Sequence, residues 1–405
     1  MADAVDPAVE SLLSAATFTP IHDAWLPERD ALLTRRLAAL PVPRPRNVLL
    51  VNATLGVQLY PSIVDFFTLL QRVHPALRAT SASHFPEIFE LERGVAAKGM
   101  PVVPMSEVVR WSAAEFNRFD VVLAVGPSQT LARLMALPQL RARLVCLDLG
   151  FYHQLIAMNG GAFTRRQDVV GVPQARQRNA VLCYSCQPRP KVTIDLARAG
   201  FALRAFEWRW FDYVPLGLSH RPYYRASAQL FDVALLGTSG RDYGLIEPAA
   251  LRGKRVLFLG TIAHAPKLER MRAAMDLTVV SRVSEDTYAR LLALCRCVVL
   301  PMRSSSRNVL LSVVDALASG TPVVTSWHRG IQRLLQSAAP IVSTSRPPLP
   351  LFPRLWVRAK LCKAMGELLR DEPSRTSLVA RSIAFARARL DIYAVLERML
   401  AEQLL

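Results

Sequence analysis

The sequence has few cysteines and no long apolar run. Six cysteines in 405 residues do not make the disulfide framework that is typical of small secreted domains. No apolar run approaches the roughly 18 residues that a transmembrane helix needs. The N-terminal residues MADAVDPAVESLL also lack the basic start and apolar core of a signal peptide. We therefore expect a cytoplasmic protein, either free or peripheral to the inner face of a membrane.

Acidic residues are scarce relative to basic ones. The chain has 32 Asp and Glu against 50 Lys and Arg, which gives a net charge of +18. This balance favours an anionic partner such as a membrane surface, a nucleic acid or a phosphorylated substrate. Much of the excess is arginine, which a high-GC genome would also explain. We expect no specific nucleic-acid partner, because no basic and aromatic module with RNA-binding spacing is present.

Metal-binding patterns are also missing. Cys183 and Cys186 form a lone CxxC without a second pair at zinc spacing, so ordinary buried thiols are the simpler interpretation. The sequence therefore predicts no protein-bound metal.

Two successive series of apolar runs alternate with helical patterns. A chain of 405 residues is longer than one core usually serves. Strand-like runs begin at residue 47 in the first series and at residue 231 in the second, and each is followed by a loop and a helical segment. We place the domain boundary near residue 215. The predicted divisions are a helical extension over 1–44, an α/β domain over 45–215, a second α/β domain over 216–372, and a C-terminal helix over 373–405.

The stretch from Val298 to Trp327 holds the best candidate site. An apolar run ends at Pro301, a polar loop follows, a helical pattern begins near residue 308, and a short strand follows Gly320. This strand, loop, helix and strand order is typical of a parallel sheet, in which ligands bind beyond the carboxyl ends of the strands. The polar loop and the helix start are therefore the expected binding elements.

The segment DALASGTPVVTS, residues 315–326, resembles a motif of one enzyme family. It follows the acidic–Ala–x–Ala–x–Gly–x–Pro–Val–Val pattern of family 4 or group 1 glycosyltransferases, and the resemblance is strongest over residues 231–335. It implies the GT-B fold, in which two Rossmann-like domains face a central cleft and a C-terminal helix crosses back to the N-terminal domain. It also implies an enzyme, a hexosyl or related transferase that moves a sugar from a nucleotide diphosphate sugar to an acceptor hydroxyl.

The resemblance also implies which residues hold the donor. Backbone N–H groups at a helix N-terminus suit a pyrophosphate, arginines near the strand ends suit its charge, and a carboxylate one helix further along takes the ribose hydroxyls. The serine at 304 is also explained as part of a flexible loop. The expected donor-binding residues are Gly237, Thr238, Arg241, Arg303, Ser304, Asn308, Val309, Leu310 and Asp315.

Three residues are expected to take part in catalysis. Arg241 would stabilise the leaving diphosphate, and Arg307 stands where the family has the first of its two acidic residues. His153 follows a predicted strand and would act as a base or contact the sugar, although a packed histidine is the common alternative.

The expected partners are a nucleotide sugar donor and an acceptor that is a polysaccharide, a lipid-linked sugar or a secondary metabolite. We expect no cofactor and no essential metal, since protein cations would stabilise the leaving group. Because Arg307 replaces a carboxylate, the alternative function is a catalytically degenerate GT-B domain that acts as a binding or scaffolding partner.

Overall fold

The computed structural model describes part of each domain. It covers residues 7–21, 27–39, 47–52, 68–83, 101–125, 137, 139–148, 180–184, 207–211, 223–237, 240–260, 262, 265–281, 283–303, 311–328, 331–332, 339–345 and 353–401. None of the helices in these ranges is long and apolar enough to cross a membrane.

The described elements are strands, α-helices and short 3-10 helices. The strands are β1 (Phe18–Pro20), β2 (Asn47–Asn52), β3 (Arg78–Ser83), β4 (Val102–Pro104), β5 (Val121–Val125), β6 (Arg143–Asp148), β7 (Ala180–Tyr184), β8 (Glu207–Phe211), β9 (Tyr224–Ala226), β10 (Phe231–Leu236), β11 (Arg255–Leu259), β12 (Asp276–Val280), β13 (Cys295–Leu300), β14 (Val323–Thr325) and β15 (Ile341–Ser343). The α-helices are α1 (Pro7–Ser14), α2 (Pro27–Ala39), α3 (Met105–Val108), α4 (Ala113–Phe116), α5 (Pro266–Arg270), α6 (Glu285–Ala293), α7 (Leu311–Ala318), α8 (Pro353–Arg370), α9 (Glu372–Phe385) and α10 (Ile392–Ala401). Short 3-10 helices cover Tyr243–Leu245, Pro248–Leu251 and Arg272–Ala274.

The N-terminal domain is built on a parallel sheet with the strand order β4-β3-β2-β5-β6-β7-β8. Strand β2, between β3 and β5, is an apolar run in which Leu49, Leu50 and Val51 are fully buried. Such continuous burial is typical of a parallel strand that is covered on both faces. Helix α2 packs on α10 in this domain, where the Tyr393 hydroxyl donates to Asp30 Oδ1 at 2.7 Å.

The C-terminal domain has a second parallel sheet with the order β12-β11-β10-β13-β14-β15. Strand β10 lies between β11 and β13, with Val233 opposite Val256 on one side and Cys297 on the other. These three side chains are completely buried, as is typical of parallel strands that are covered on both faces. The carboxyl ends of β10 and β13 are therefore adjacent at one edge of the core.

The chain divides between the two domains differently from the predicted bounds. Residues 1–24 and 221–391 form one compact unit, and residues 25–220 and 392–405 form the other. The predicted helical extension over 1–44 is therefore shared between the units. The reason is a short antiparallel ribbon, in which β1 pairs with β9 and places Phe18 opposite Ala226.

The predicted helix over 373–403 is interrupted. Helix α9 continues into a π-helical turn, Ala386–Leu390, and ends at Asp391 before α10 begins. Both α9 and the π turn belong to the C-terminal unit, where they pack on α7. Residues 392–405 are grouped with residues 25–220 in the N-terminal unit.

Ser284 is the N-cap residue of α6. Its Oγ accepts a hydrogen bond from the backbone N–H of Thr287 at 3.2 Å. The variant Ser284→Ala is expected to lower the free energy of unfolding by about 1 kcal/mol, because one N–H group of the first turn loses its partner. Urea unfolding of the full chain measures this. The variant Ser284→Asp should keep most of the stability, since aspartate also caps helices.

Candidate active site

Two loops at the carboxyl ends of β10 and β13 are joined by backbone hydrogen bonds. Arg303 N–H donates to Gly240 O at 2.9 Å, and Asp242 N–H donates to Pro301 O at 2.7 Å. Arg241 and Met302 form an isolated antiparallel bridge between these two bonds. The loops therefore form one rigid edge at the end of the sheet where α/β proteins bind ligands.

The side chain of Arg241 lies inside this edge and is only 7% exposed. Its Nε donates to Leu236 O at 3.0 Å, one terminal nitrogen contacts Met302 Sδ at 2.8 Å, and the other donates to Ser312 Oγ at 3.1 Å. Burial lowers the pKa of Arg241, yet a guanidinium stays charged in proteins. The site therefore contains a fixed, largely desolvated cation.

Tyr243 and Asp242 hold the loop that carries Arg241. The Tyr243 hydroxyl donates to Gly237 O, and its ring stands edge-on to Phe258. Burial raises the pKa of Tyr243, so the phenol stays neutral and acts as a donor. Partial burial acts to raise the pKa of Asp242, but its contacts with Lys267 and Arg354 and a backbone N–H lower the pKa overall.

Two hydroxyl groups at the end of strand β14 bond to the backbone on the other side of the loop. The hydroxyl of Ser326 donates to Met302 O at 2.8 Å, and the hydroxyl of Thr325 donates to Leu300 O at 2.9 Å. Ser326 and Thr325 are both buried, so these hydrogen bonds satisfy polar groups that water does not reach. Three adjacent strand ends therefore fix the position of the loop after β13.

Helix α7 presents two polar side chains one turn apart. Ser312 accepts the hydrogen bond from Arg241, and Asp315 Oδ1 accepts one from the hydroxyl of Tyr223 at 3.1 Å. Residues three positions apart lie on the same face of a helix. The buried cation and the carboxylate are therefore linked through one face of α7.

Comparison with known proteins supports the interpretation of this domain. Residues 244–348 match the sequence pattern of the family described as glycosyl transferases group 1. This segment includes α7 and Asp315 and begins just after Arg241. None of the curated proteins is similar enough in sequence to count as a relative.

Solved structures resemble the chain over nearly its whole length. A glycosyltransferase from Rickettsia africae ESF-5 is 10% identical, with 89% of this chain and 98% of that chain covered and a TM-score of 0.57. Sucrose-phosphate synthase from Thermosynechococcus elongatus is 13% identical, with 89% and 99% covered and a TM-score of 0.56. The glycosyltransferase WaaG, involved in lipopolysaccharide biosynthesis, is 12% identical, with 88% and 99% covered and a TM-score of 0.52.

The chain has the GT-B fold. The expected α/β architecture of two Rossmann-like domains is thereby confirmed, and so is the resemblance of the C-terminal domain to group 1 glycosyltransferases. At identities of 10% to 13%, the solved structures establish the fold alone.

The GT-B donor residues predicted from the sequence are described in part. Gly237, Arg241 and Arg303 lie together at the joined loops, and Asp315 lies on α7. Arg303 is exposed at the surface, and its Nε donates to Arg241 O at 2.9 Å. The remaining predicted positions lie outside the described residues: Thr238, Ser304, Asn308, Val309 and Leu310, together with the catalytic candidates Arg307 and His153.

Two residues at this GT-B site were missed by the sequence reasoning. Ser312 contacts Arg241, and Tyr223 contacts Asp315. Ser312 could have been found from its spacing of three residues before Asp315, since both would share a helix face. Tyr223 lies 92 residues before Asp315 in the sequence, so no local pattern connects them.

Proposed function

We propose that the protein is a glycosyltransferase that moves a sugar from a nucleotide diphosphate sugar to an acceptor hydroxyl. The observation that carries the proposal is the joined loop edge, with the buried Arg241 bonded to the first turn of the helix that bears Asp315. That helix lies within the segment that matches group 1 glycosyltransferases. Two of the solved structures that share the fold are named as glycosyltransferases, and the third is named as a sucrose-phosphate synthase.

The chemistry of these groups suits a nucleotide sugar. When the sugar leaves, negative charge develops on the diphosphate, and a cation that is already in place stabilises it without reorganisation. Arg241 is such a cation, because three protein groups hold its guanidinium. Arg303 supplies a second, exposed cation at the same edge. We therefore propose that protein cations, rather than a metal ion, stabilise the leaving group.

Asp315 is the proposed ligand of the ribose. Two carboxylate oxygens suit two neighbouring hydroxyls, and one helical turn separates Asp315 from the serine that Arg241 contacts. The acceptor is proposed to be a polysaccharide, a lipid-linked sugar or a secondary metabolite. The net charge of +18 favours an anionic acceptor among these.

Thermal unfolding in the presence of nucleotides tests the proposed donor site. UDP-, GDP-, TDP- and CMP-sugars are screened with the full chain, and at least one is expected to raise the Tm. A ligand present at a hundred times its Kd stabilises the folded state by about 2.7 kcal/mol. The variant Asp315→Asn is expected to lower the affinity for that nucleotide about tenfold or more, because a charged acceptor is lost.

Asp276 provides the matched control for this screen. It is an exposed carboxylate at the first residue of β12, at the amino ends of the strands. Asp276→Asn should therefore leave the nucleotide affinity unchanged. If no nucleotide sugar raises the Tm of the unmodified chain, the proposed donor site is wrong and the degenerate GT-B domain becomes the better explanation.

A further inference from the structure

Tyr223 is a buried residue whose hydroxyl meets the proposed ribose ligand. The side chain is 1% exposed, and its hydroxyl donates to Asp315 Oδ1 at 3.1 Å. An ionised carboxylate only accepts hydrogen bonds, and its two oxygens offer about four lone-pair directions. A donor fixed on Oδ1 therefore favours one rotation of the Asp315 carboxylate.

The backbone around Tyr223 is held by residues from the start of the chain. Ile21 N–H donates to Tyr223 O at 2.8 Å. Thr17 and Ser227 close the other end of the ribbon, where Thr17 N–H donates to Ser227 Oγ at 3.0 Å and Ser227 N–H donates to Thr17 O at 2.9 Å. Tyr223 is thus attached to a short two-stranded sheet. Its strands, β1 and β9, are about 200 residues apart in sequence.

The hydroxyl of the next residue, Tyr224, contacts a different helix. The Tyr224 hydroxyl donates to Asp286 Oδ1 on α6 at 2.5 Å, and the guanidinium of Arg290 lies 4.7 Å from the centre of the Tyr224 ring. Consecutive side chains of an extended segment point to opposite sides. The ribbon is therefore anchored on α6 through Tyr224, while Tyr223 reaches α7.

We propose that Tyr223 is a positioning residue for nucleotide recognition. It orients the carboxylate of Asp315 toward the two ribose hydroxyls, and the ribbon of β1 and β9 keeps the Tyr223 hydroxyl in place. This inference rests on the proposed function, because it needs Asp315 to bind ribose. It adds that the N-terminal residues, through Tyr223, take part in selecting ribonucleotides.

The test compares ribonucleotides with analogues that lack the two hydroxyls. Calorimetry with the full chain measures the Kd of UDP, GDP and ADP, each beside its 2′,3′-dideoxy counterpart. The readout is the ratio of the two Kd values for the base that binds. This ratio is taken within one protein, so a loss of folding stability does not change it.

Three variants give distinct expectations for that ratio. The unmodified chain should prefer the ribonucleotide, and Asp315→Asn should remove most of the preference. Tyr223→Phe should reduce the preference about three- to tenfold, which corresponds to one misplaced hydrogen bond. Tyr224→Phe is the matched control, because it also removes a tyrosine hydroxyl from a carboxylate of this domain, and it should leave the ratio unchanged.

Each other outcome overturns a defined statement. If the unmodified chain binds none of the nucleotides, the proposed function fails and the inference fails with it. If the chain binds a nucleotide and Asp315→Asn removes the preference while Tyr223→Phe does not, only the role of Tyr223 is wrong. An equal loss of preference in Tyr223→Phe and Tyr224→Phe would also overturn it, since the effect would then belong to the ribbon as a whole.

Discussion

Replacing Arg241 by alanine is expected to lower kcat/KM for sugar transfer by about 10²- to 10³-fold, the effect of removing one preorganised donor from a developing anion. The guanidinium contacts Leu236 O, Met302 Sδ and Ser312 Oγ, so it does not have to be ordered when the donor binds. Desolvation strengthens its attraction for a diphosphate, because the local dielectric is low. Initial rates with the nucleotide sugar found by thermal screening measure the effect.

Two further variants separate charge from packing at this position. Arg241→Met keeps a long apolar side chain beside Met302, while Leu236 O and Ser312 Oγ lose a hydrogen-bond donor. Its rate should fall as far as that of Arg241→Ala, and the free energy of unfolding measured in urea should fall by about 1–3 kcal/mol. Arg255→Ala removes an exposed arginine at the amino end of β11 and should leave the rate unchanged. A Met variant with an undiminished rate would show that the cation is structural only.

The sequence predicted the strands next to the site, because local patterns define them. Apolar runs predicted β10 and β13, and in a parallel sheet their carboxyl ends must lie at one edge. The sequence did not predict that Arg241 is buried, because polar arginine is expected at the surface. Its burial depends on Leu236 O, Met302 and Ser312 converging around it, and they come from three elements.

The parts of the fold that sequence reasoning missed have no local apolar signal. Strand β3 has the sequence RATSAS, which is small and polar, yet it is paired on both sides, with β2 and β4. Strands β1 and β9 contain three residues each, and tertiary pairing defines them rather than propensity. The interruption at residues 386–391 was missed for the same reason, because the residues ARARL are ordinary helix formers.

Gly320 lies two residues after the last residue of helix α7, Ala318, and has a backbone conformation that other residues rarely adopt. Its φ is +66°, and the N–H of Thr321 donates to Ala316 O at 2.9 Å, which closes the helix end. A Cβ at this position would lie 2.9 Å from two side-chain carbons of Ile383 on α9. We expect Gly320→Ala to lower the free energy of unfolding by about 2–5 kcal/mol, since backbone strain and overpacking each cost about 1–3 kcal/mol.

Substitutions at two other glycines separate the cost of backbone strain from the cost of overpacking. Gly253 also has a positive φ, +68°, but a Cβ there meets nothing within 4 Å, so Gly253→Ala should show the strain alone at about 1–2 kcal/mol. Gly366 lies inside α8 with equally open surroundings, and Gly366→Ala should stabilise the chain by about 0.5–1 kcal/mol. Adding Ile383→Ala to Gly320→Ala should cost less than the sum of the two single changes, because it removes the close contact. Strictly additive costs in urea unfolding would show that α7 and α9 adjust freely, and that packing against Ile383 does not define the end of the helix that carries Asp315.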